Sequence, residues 1–450
     1  MQAAIFIPTY VGSGRKTNGI NVTQAYDHMT PLNYQGQLHR CLASLVAAQV
    51  ELPVYLLIVA EQGLEEAAGE KVATVCRPYT EDLAITLMDY QVETAFHGRL
   101  AEMGYEDLEK QIGLGSYGAI RNFGLSIACA LNLDVAIWID DDEVVEDPDF
   151  ARTACYGLGG FTPDKVPILV KSGYYLDKRG KYTSPLKSKW YNHFWTQGVA
   201  FNKWIESAMR KARLSSSNNL YGGLFAVHRE AFSRVAFDPW ISRGEDLDYL
   251  INILIYGGVV FFDNKWQISH LPPAEADTVQ RFDQDVYRWI YEYHKIESSK
   301  SQFDLYPIRP GSLTPYPGTF LDRRIMQKVR STSLLRALAA PRNLKRGYLR
   351  SATKVRSEAI AYAEIFCQKY YDFQKVWPLL TQDIGGDIQL RVLFGGTSAE
   401  AADSVSPGES SEQALVETYR EENQHLLDFE LDMGALTKHA EHSDTTGESS

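Results

Sequence analysis

Three aspartates and a glutamate stand in a row at Asp140-Asp141-Asp142-Glu143, directly after the apolar run Ile137-Trp138-Ile139. The apolar residues predict a buried strand, and the acids fall where that strand must leave the core. In an open α/β sheet this carboxyl edge is where ligands bind. Acids packed this closely repel one another unless a proton or a cation relieves them. An oxygen-rich cluster suits Mg²⁺ or Mn²⁺, which complete their shells with water and with the phosphates of a substrate. The same row could also be a solvated acidic turn.

Other residues carry chemistry by type and position. Arg121-Asn122 follow the glycine-rich loop 113–118 at a helix start, where free N–H groups and a guanidinium fork favour phosphate. Glu245-Asp246 open another helix behind Arg243-Gly244. A carboxylate there could act as a general base or simply cap the helix. Gly222-Gly223 would let backbone approach a ligand closely, since neither bears a Cβ. Pro8-Thr9-Tyr10 end a first strand, Glu61 follows the apolar run 54–60, and His270 follows a late strand. A lone histidine is either structural or a metal ligand that suits Mn²⁺ better than Mg²⁺.

The elements that must hold these groups are legible from periodicity. Residues 3–8, 54–60, 83–88 and 137–139 read as strands, with helical spacing at 37–49 and 117–131. That alternation predicts a parallel, doubly wound sheet. Further strands are expected at 167–173, 220–227 and 259–262, and helices from Arg229 and over 246–255. The polar connection 9–37 is long enough to expect a functional loop. The stretch 187–204 is dense in aromatics, which could form core, stack on ligand rings or flank an acceptor channel, with Trp195 and Trp190 the foremost candidates. Beyond Asp322 the pattern is helical to about Leu380, and 388–394 reads as a final strand or extended arm.

At 450 residues, 45% hydrophobic and 23% charged, the composition is that of a globular protein. Five scattered cysteines without a CxxC pair imply a reducing compartment and neither a disulfide framework nor a zinc site. The start lacks the basic region of a secretion signal, and the longest apolar run, 251–262, is too short to span a bilayer. The net charge of −12 is uneven: residues 400–450 carry thirteen acids and two basic residues, and read as disordered. Residues 323–356 carry eleven Lys/Arg and no acid. That segment could meet an anionic membrane, an anionic acceptor or the acidic tail, or be a solvated face. No recognition motif for nucleic acid accompanies it.

Taken in order, Ile5-Phe6-Ile7-Pro8-Thr9-Tyr10, Tyr117-Gly118-Ala119-Ile120-Arg121-Asn122-Phe123-Gly124, the Asp140 cluster, Gly222 to Arg229 and Arg243 to Asp248 resemble the GT-A fold nucleotide-sugar glycosyltransferases, family 2 most closely. The resemblance spans roughly residues 1–275. It implies a GT-A-like, mixed, mainly parallel sheet flanked by helices over 1–320; the pattern and composition beyond it, which resemble no family, give a mainly helical basic region at 321–396 and an acidic, largely disordered tail at 397–450. It places Pro8, Thr9, Tyr10 and Glu61 at the nucleotide, where relatives more often carry Asp in place of Glu61. Arg121 and Asn122 would lie beside the diphosphate, and Gly222-Gly223 at the donor sugar. Asp140-Asp141-Asp142 becomes a DxD motif: Asp142 and His270 ligate the metal, Asp140 meets metal or ribose, and Asp141 supports the turn. Asp246, with Glu245 next, becomes the base for an inverting transfer from a nucleotide-sugar, UDP-linked first, to a hydroxyl acceptor that is a glycan, a lipid-linked sugar or a small molecule. His270 with the helical extension is also similar to retaining GT-A enzymes. A cytoplasmic protein, peripheral at the inner membrane face if 323–356 docks there, is the expected setting; the sequence carries no sign of oligomeric state. Two readings of other classes remain: a nucleotidyltransferase, which Gly12-Ser13-Gly14-Arg15 matches only superficially, and a catalytically inactive carbohydrate-binding scaffold.

Overall fold

The computed structural model describes residues 1–14, 29–186, 189–272 and 279–395. The acidic tail, its expected disorder, and most of the long polar connection after the first strand lie outside the described residues. Residues 1–396 make one compact unit, and none of its described helices is long and apolar enough to cross a membrane.

Ten strands form one sheet: β1 (Ala3–Gly12), β2 (Thr30–Pro31), β3 (Val54–Ala60), β4 (Ile85–Met88), β5 (Val135–Ile139), β6 (Glu143–Val144), β7 (Val170–Leu176), β8 (Leu214–Ser216), β9 (Leu224–His228) and β10 (Val260–His270). Their order is β4-β3-β1-β5-β9-β7-β10-β6, with β2 beside β1 and β8 beside β10. β4, β3, β1 and β5 run parallel, whereas β9 is antiparallel to both β5 and β7. The mixed, mainly parallel sheet flanked by helices that the motif order implied is therefore present. Continuous apolar runs such as Ala4–Ile7 and Val135–Ile139 are buried on both faces, as parallel strands between helical layers must be.

The helices are α1 (Leu38–Ala47), α2 (Glu65–Cys76), α3 (Tyr90–Glu102), α4 (Tyr117–Ala130), α5 (Phe150–Cys155), α6 (Gln197–Ala208), α7 (Arg229–Phe232), α8 (Glu245–Ile255), α9 (Val279–Ser299), α10 (Ile325–Ala339), α11 (Arg342–Arg350), α12 (Arg356–Gly386) and α13 (Ile388–Gly395). Three expectations need correction. The first strand runs through Pro8 to Gly12. Ile5 N–H donates toward β3, so alternation turns Pro8 to the opposite side, where β5 pairs no further than Phe6. A missing N–H there breaks no ladder bond. The strand expected at 259–262 continues to His270 through a register shift at Phe262–Gln267, where Asp263 is buried against Lys171 at 2.9 Å and Arg213 at 3.1 Å. The segment 388–394 is helix and not strand: Leu390 and Phe394 bury one face at i, i+4, and Asp387 accepts the Leu390 N–H.

Helix α12 packs on α9 and α4, and its side chains satisfy the loop after α7. Trp377 donates to Phe232 O, Thr381 to Ser233 O, Gln374 to Arg234 O, Tyr370 to Ala236 O and Tyr362 to Trp240 O. Beneath α8 the fully buried Lys295 contacts Asp238 and Asp248, each at 2.6 Å. Asn252 also accepts from its ammonium.

Nearby, the buried Glu292 accepts from Arg288 Nε at 3.0 Å. Burial still pushes its carboxyl up to about 8 against the pull of that guanidinium. A carboxyl whose folded pKa lies above its unfolded value, about 4.3, holds its proton more tightly in the native chain. Its stabilising contribution is complete below the unfolded value and is lost as pH rises through about 8. Denaturant midpoints measured across that range should show Glu292→Gln gaining on the wild type as pH rises. A difference that stays constant with pH would contradict the assignment.

Candidate active site

The carboxyl ends of β1 and β5, the turn before β9, the start of α8 and the end of β10 meet around a cavity of about 280 Å³. Pro8, Thr9, Tyr10, Arg121, Asp140, Asp141, Asp142, Gly222, Glu245, Asp246 and His270 all line it. Residues more than 200 positions apart thus converge on the strand edge that the first apolar–acidic run proposed.

Each acid is held differently. Asp141 accepts from Thr9 Oγ1 at 2.6 Å, and burial with its acidic neighbours pushes its carboxyl up to about 7. Asp140 Oδ1 lies 3.3 Å from Arg121, while its backbone N–H donates to Glu143 Oε2. Asp142 Oδ2 is 3.5 Å from His270 Nε2, and Asp142 O accepts from Leu271 N–H. Glu143 stands directly opposite His270 in the β6–β10 ladder. Burial, followed by the charges of Asp140 and Asp142, drives the Glu143 carboxyl far above its usual range. Burial also raises Asp140, opposed by Arg121 and reinforced by Asp142.

This arrangement fits a hard divalent cation. Carboxylate oxygens of Asp140, Asp142 and Glu143 all lie within 4.8 Å of one another. Glu143 Oε1 is buried without a hydrogen-bond partner, although the Tyr175 hydroxyl is close enough to favour its ionised form. Buried carboxylates that repel one another and retain an unsatisfied oxygen are stabilised by a cation and destabilised by its loss. Glu143 could therefore join Asp140 and Asp142 in holding such a cation, a place the sequence reading gave to His270 and not to it. Gly223 backs the cluster: a Cβ there would fall 2.2 Å from Glu143 Oε1 and 2.8 Å from Asp140 Oδ2. Gly223 does not line the cavity itself; its N–H donates to Tyr175 at 2.5 Å.

Arg121 reaches the cavity from α4, which Ser116 caps through the Ala119 N–H. Its guanidinium sits 4.6 Å over Trp138 and contacts Glu245 at 3.2 Å, Asp140 at 3.3 Å and Gly222 O at 3.0 Å. It is thereby the internal counter-charge of the acids, tying the β5 side to the α8 side. Asn122 faces away: it is fully buried, donates to Gln111 O and Phe237 O, and accepts from Phe237 N–H. Glu61 lies outside the cavity lining, accepting from Ser13 N–H at 2.6 Å beside Tyr10, whose hydroxyl pKa is raised by burial and then by Glu61.

Helix α8 begins after Gly244, whose φ of 73° is left-handed and whose missing Cβ leaves room for Arg288, 2.1 Å from where that atom would be. Asp246 accepts from Gly222 N–H at 3.0 Å and from Leu247 N–H at 2.7 Å. Burial, opposed by Arg121 and reinforced by Asp246, pushes Glu245 up to about 7. Tyr117, Ile120, Tyr175, Arg243, Gly244 and Arg288 complete the lining; Tyr175 and Arg288 lie in none of the sequence motifs. Tyr175, at the carboxyl end of β7 and edge-on to His270, could have been found by strand position; Arg288, on a helix without a motif, could not.

The aromatic segment behaves otherwise than expected for a sugar platform in this cavity. Trp195 and Trp204 are buried, and Trp190 is exposed. Trp190 and Trp195 line a second cleft of about 580 Å³ with Arg281, Phe282 and Asp285. Asp285 pairs at 3.3 Å with Arg243 of the first cavity, so the two adjoin.

No protein-family model and no curated protein matches this sequence. Solved structures do match. The mannosyltransferase PcManGT from Pyrobaculum calidifontis, in complex with GDP-Man and Mn²⁺, is 12% identical over 84% of this chain and 87% of its own, with a TM-score of 0.41. GalNAc-T7 with UDP, GalNAc and Mn²⁺ is 14% identical over 84% of this chain and 58% of its own, at 0.37. The glucosyl-3-phosphoglycerate synthase of Mycobacterium tuberculosis, with Mn²⁺, UDP-glucose and phosphoglyceric acid, is 13% identical over 61% of this chain and 72% of its own, at 0.31. These are glycosyltransferases that bind metal and nucleotide-sugar, the group that the motif order resembles. At such scores the likeness decides nothing about chemistry, which stands on the residues of this cavity.

Proposed function

We propose that this chain is a metal-dependent glycosyltransferase that moves a sugar from a nucleotide-sugar, UDP-linked in the first instance, to a hydroxyl acceptor. The observation that carries the reading is the convergence of two carboxylate pairs, Asp140 with Asp142 and Glu245 with Asp246, on one cavity bridged by Arg121. Pro8, Thr9 and Tyr10 border the nucleotide, with Glu61 behind Tyr10. Gly222 leaves room for the donor sugar. A Mn²⁺ or Mg²⁺ ion held by Asp140, Asp142 and Glu143, with His270 beside them, would neutralise charge developing on the leaving diphosphate.

In the inverting form, the acceptor oxygen attacks the anomeric carbon while its proton passes to the Asp246 carboxylate. The bond from that carbon to the diphosphate oxygen breaks on the opposite face. A retaining reaction is the second reading, favoured by the two backbone N–H groups that already occupy the Asp246 carboxylate oxygens. Residues 1–320 supply the chemistry in either case, with 321–396 as a helical region supporting it in a cytoplasmic enzyme.

A melting-temperature panel of UDP-, GDP- and dTDP-sugars with and without Mn²⁺ tests the reading. Ligand at about 100 times its Kd stabilises by about 2.7 kcal/mol, so the correct donor should stand out by several degrees and only with the metal. No shift with any donor would sink the proposal. Product analysis by NMR then separates the two forms: an α-linked product from an α-donor removes Asp246 from the role of base.

A further inference from the structure

The donor cavity makes no use of a surface built by α10, α11 and the segment ahead of α6. On α10, Arg330, Leu334 and Leu338 recur every four residues on the exposed side, while Val329, Ser333 and Arg336 turn inward. A break at Pro341 leads into α11, which packs against α10 and exposes Arg342, Lys345, Arg346 and Leu349. Arg330, Arg342, Lys345 and Arg346 make no ion pair with any described residue. Arg336 Nε donates to Asn192 at 3.0 Å and so joins α10 to the turn Trp190–Asn192. There Trp190 is 60% exposed, and Leu186 and Phe194 flank it on the chain, also exposed. Leu338, at the corner between the two helices, is 70% exposed.

Large apolar side chains open to water and interleaved with unpaired cations mark an interaction surface. We propose that this face docks on an anionic lipid bilayer. A bilayer accommodates both features at once: leucines and a tryptophan enter the headgroup–acyl boundary, and arginines and a lysine meet anionic headgroups. An acidic segment poor in apolar residues would answer the cations and leave Leu338 and Trp190 in water; the chain's own acidic tail, which also carries Leu426, Leu427 and Phe429, is the rival that the test separates. The second cleft, lined in part by Trp190, opens within this face and adjoins the donor cavity through Arg243–Asp285. The docking itself does not depend on the transferase reading.

Flotation of the full chain with vesicles tests it. Binding is expected to phosphatidylcholine vesicles containing phosphatidylglycerol, weakening as salt is raised, and not to phosphatidylcholine alone. Leu338→Asp, and separately Arg342→Glu with Arg346→Glu, should each weaken binding at least about tenfold at an unchanged melting temperature, each basic residue near such a surface being worth about 1 kcal/mol. Failure of the full chain to float with anionic vesicles, or equal flotation of both variants and wild type, would overturn the proposal. Zero-length cross-linking of Lys345 to carboxylates of residues 400–450, in a chain that ignores vesicles, would assign the face to the acidic tail instead.

Discussion

Asp142→Ala is expected to erase the Mn²⁺-dependent part of the donor-induced melting shift and to slow release of nucleotide diphosphate by about 10²–10³-fold, the usual effect of losing one strong electrostatic stabiliser. Asp142 is buried with Glu143, beside the partly exposed Asp140 and His270, so the deletion removes a donor oxygen from the inner side of the set. Without added metal the same change should stabilise the chain, because one of several repelling carboxylates is gone. That opposite sign separates a metal site from a structural acid. An Asp142→Ala chain equally destabilised with and without Mn²⁺ would contradict the assignment.

Lys295→Met should cost about 3–5 kcal/mol of stability by denaturant unfolding, the range for stripping one partner from a buried ion cluster. The ammonium is the shared partner of Asp238 and Asp248, none of the three reaching water. Burial already raises Asp248 to about 6 with Lys295 pulling it down, so removal of the lysine leaves two carboxyls facing each other. Adding Asp248→Asn should recover part of the loss. A cost below about 1 kcal/mol would mean that water or a rearrangement replaces the ammonium.

The mainly parallel sheet and many of the residues that line the cavity were readable in advance where local pattern and tertiary role coincide. Val135–Ile139 is apolar throughout because both faces are covered, and its acids follow at once, so strand, edge and chemistry appear within nine residues. Asn122 misled because a polar residue at a helix start looks the same whether it meets a phosphate or the backbone of a distant loop. Only the tertiary position of Phe237 decides between them. Pro8 misled for the converse reason: it ends a strand by propensity, and it is tolerated because β5 pairs no further than Phe6 on that side. Glu143 was visible in the acidic row, yet its burial depends on the β6–β10 pairing, which no local signal announces. The helices after Asp322 were legible as helices and mute about what they touch.

That silence has a consequence for how the chain can be divided. The side chains of α12 satisfy five carbonyls between Phe232 and Trp240, and the next turn of backbone delivers Arg243, Glu245 and Asp246. A fragment ending near residue 320 would keep every recognisable motif while stripping partners from the loop that aims them. Water could replace the lost donors, but the apolar surface that α12 covers with Trp377 and Leu380, Phe232 among it, would be opened to solvent. Such a fragment is expected to melt below the full chain. Recombination at a motif boundary would then separate the acids from the helices that brace the loop leading to them.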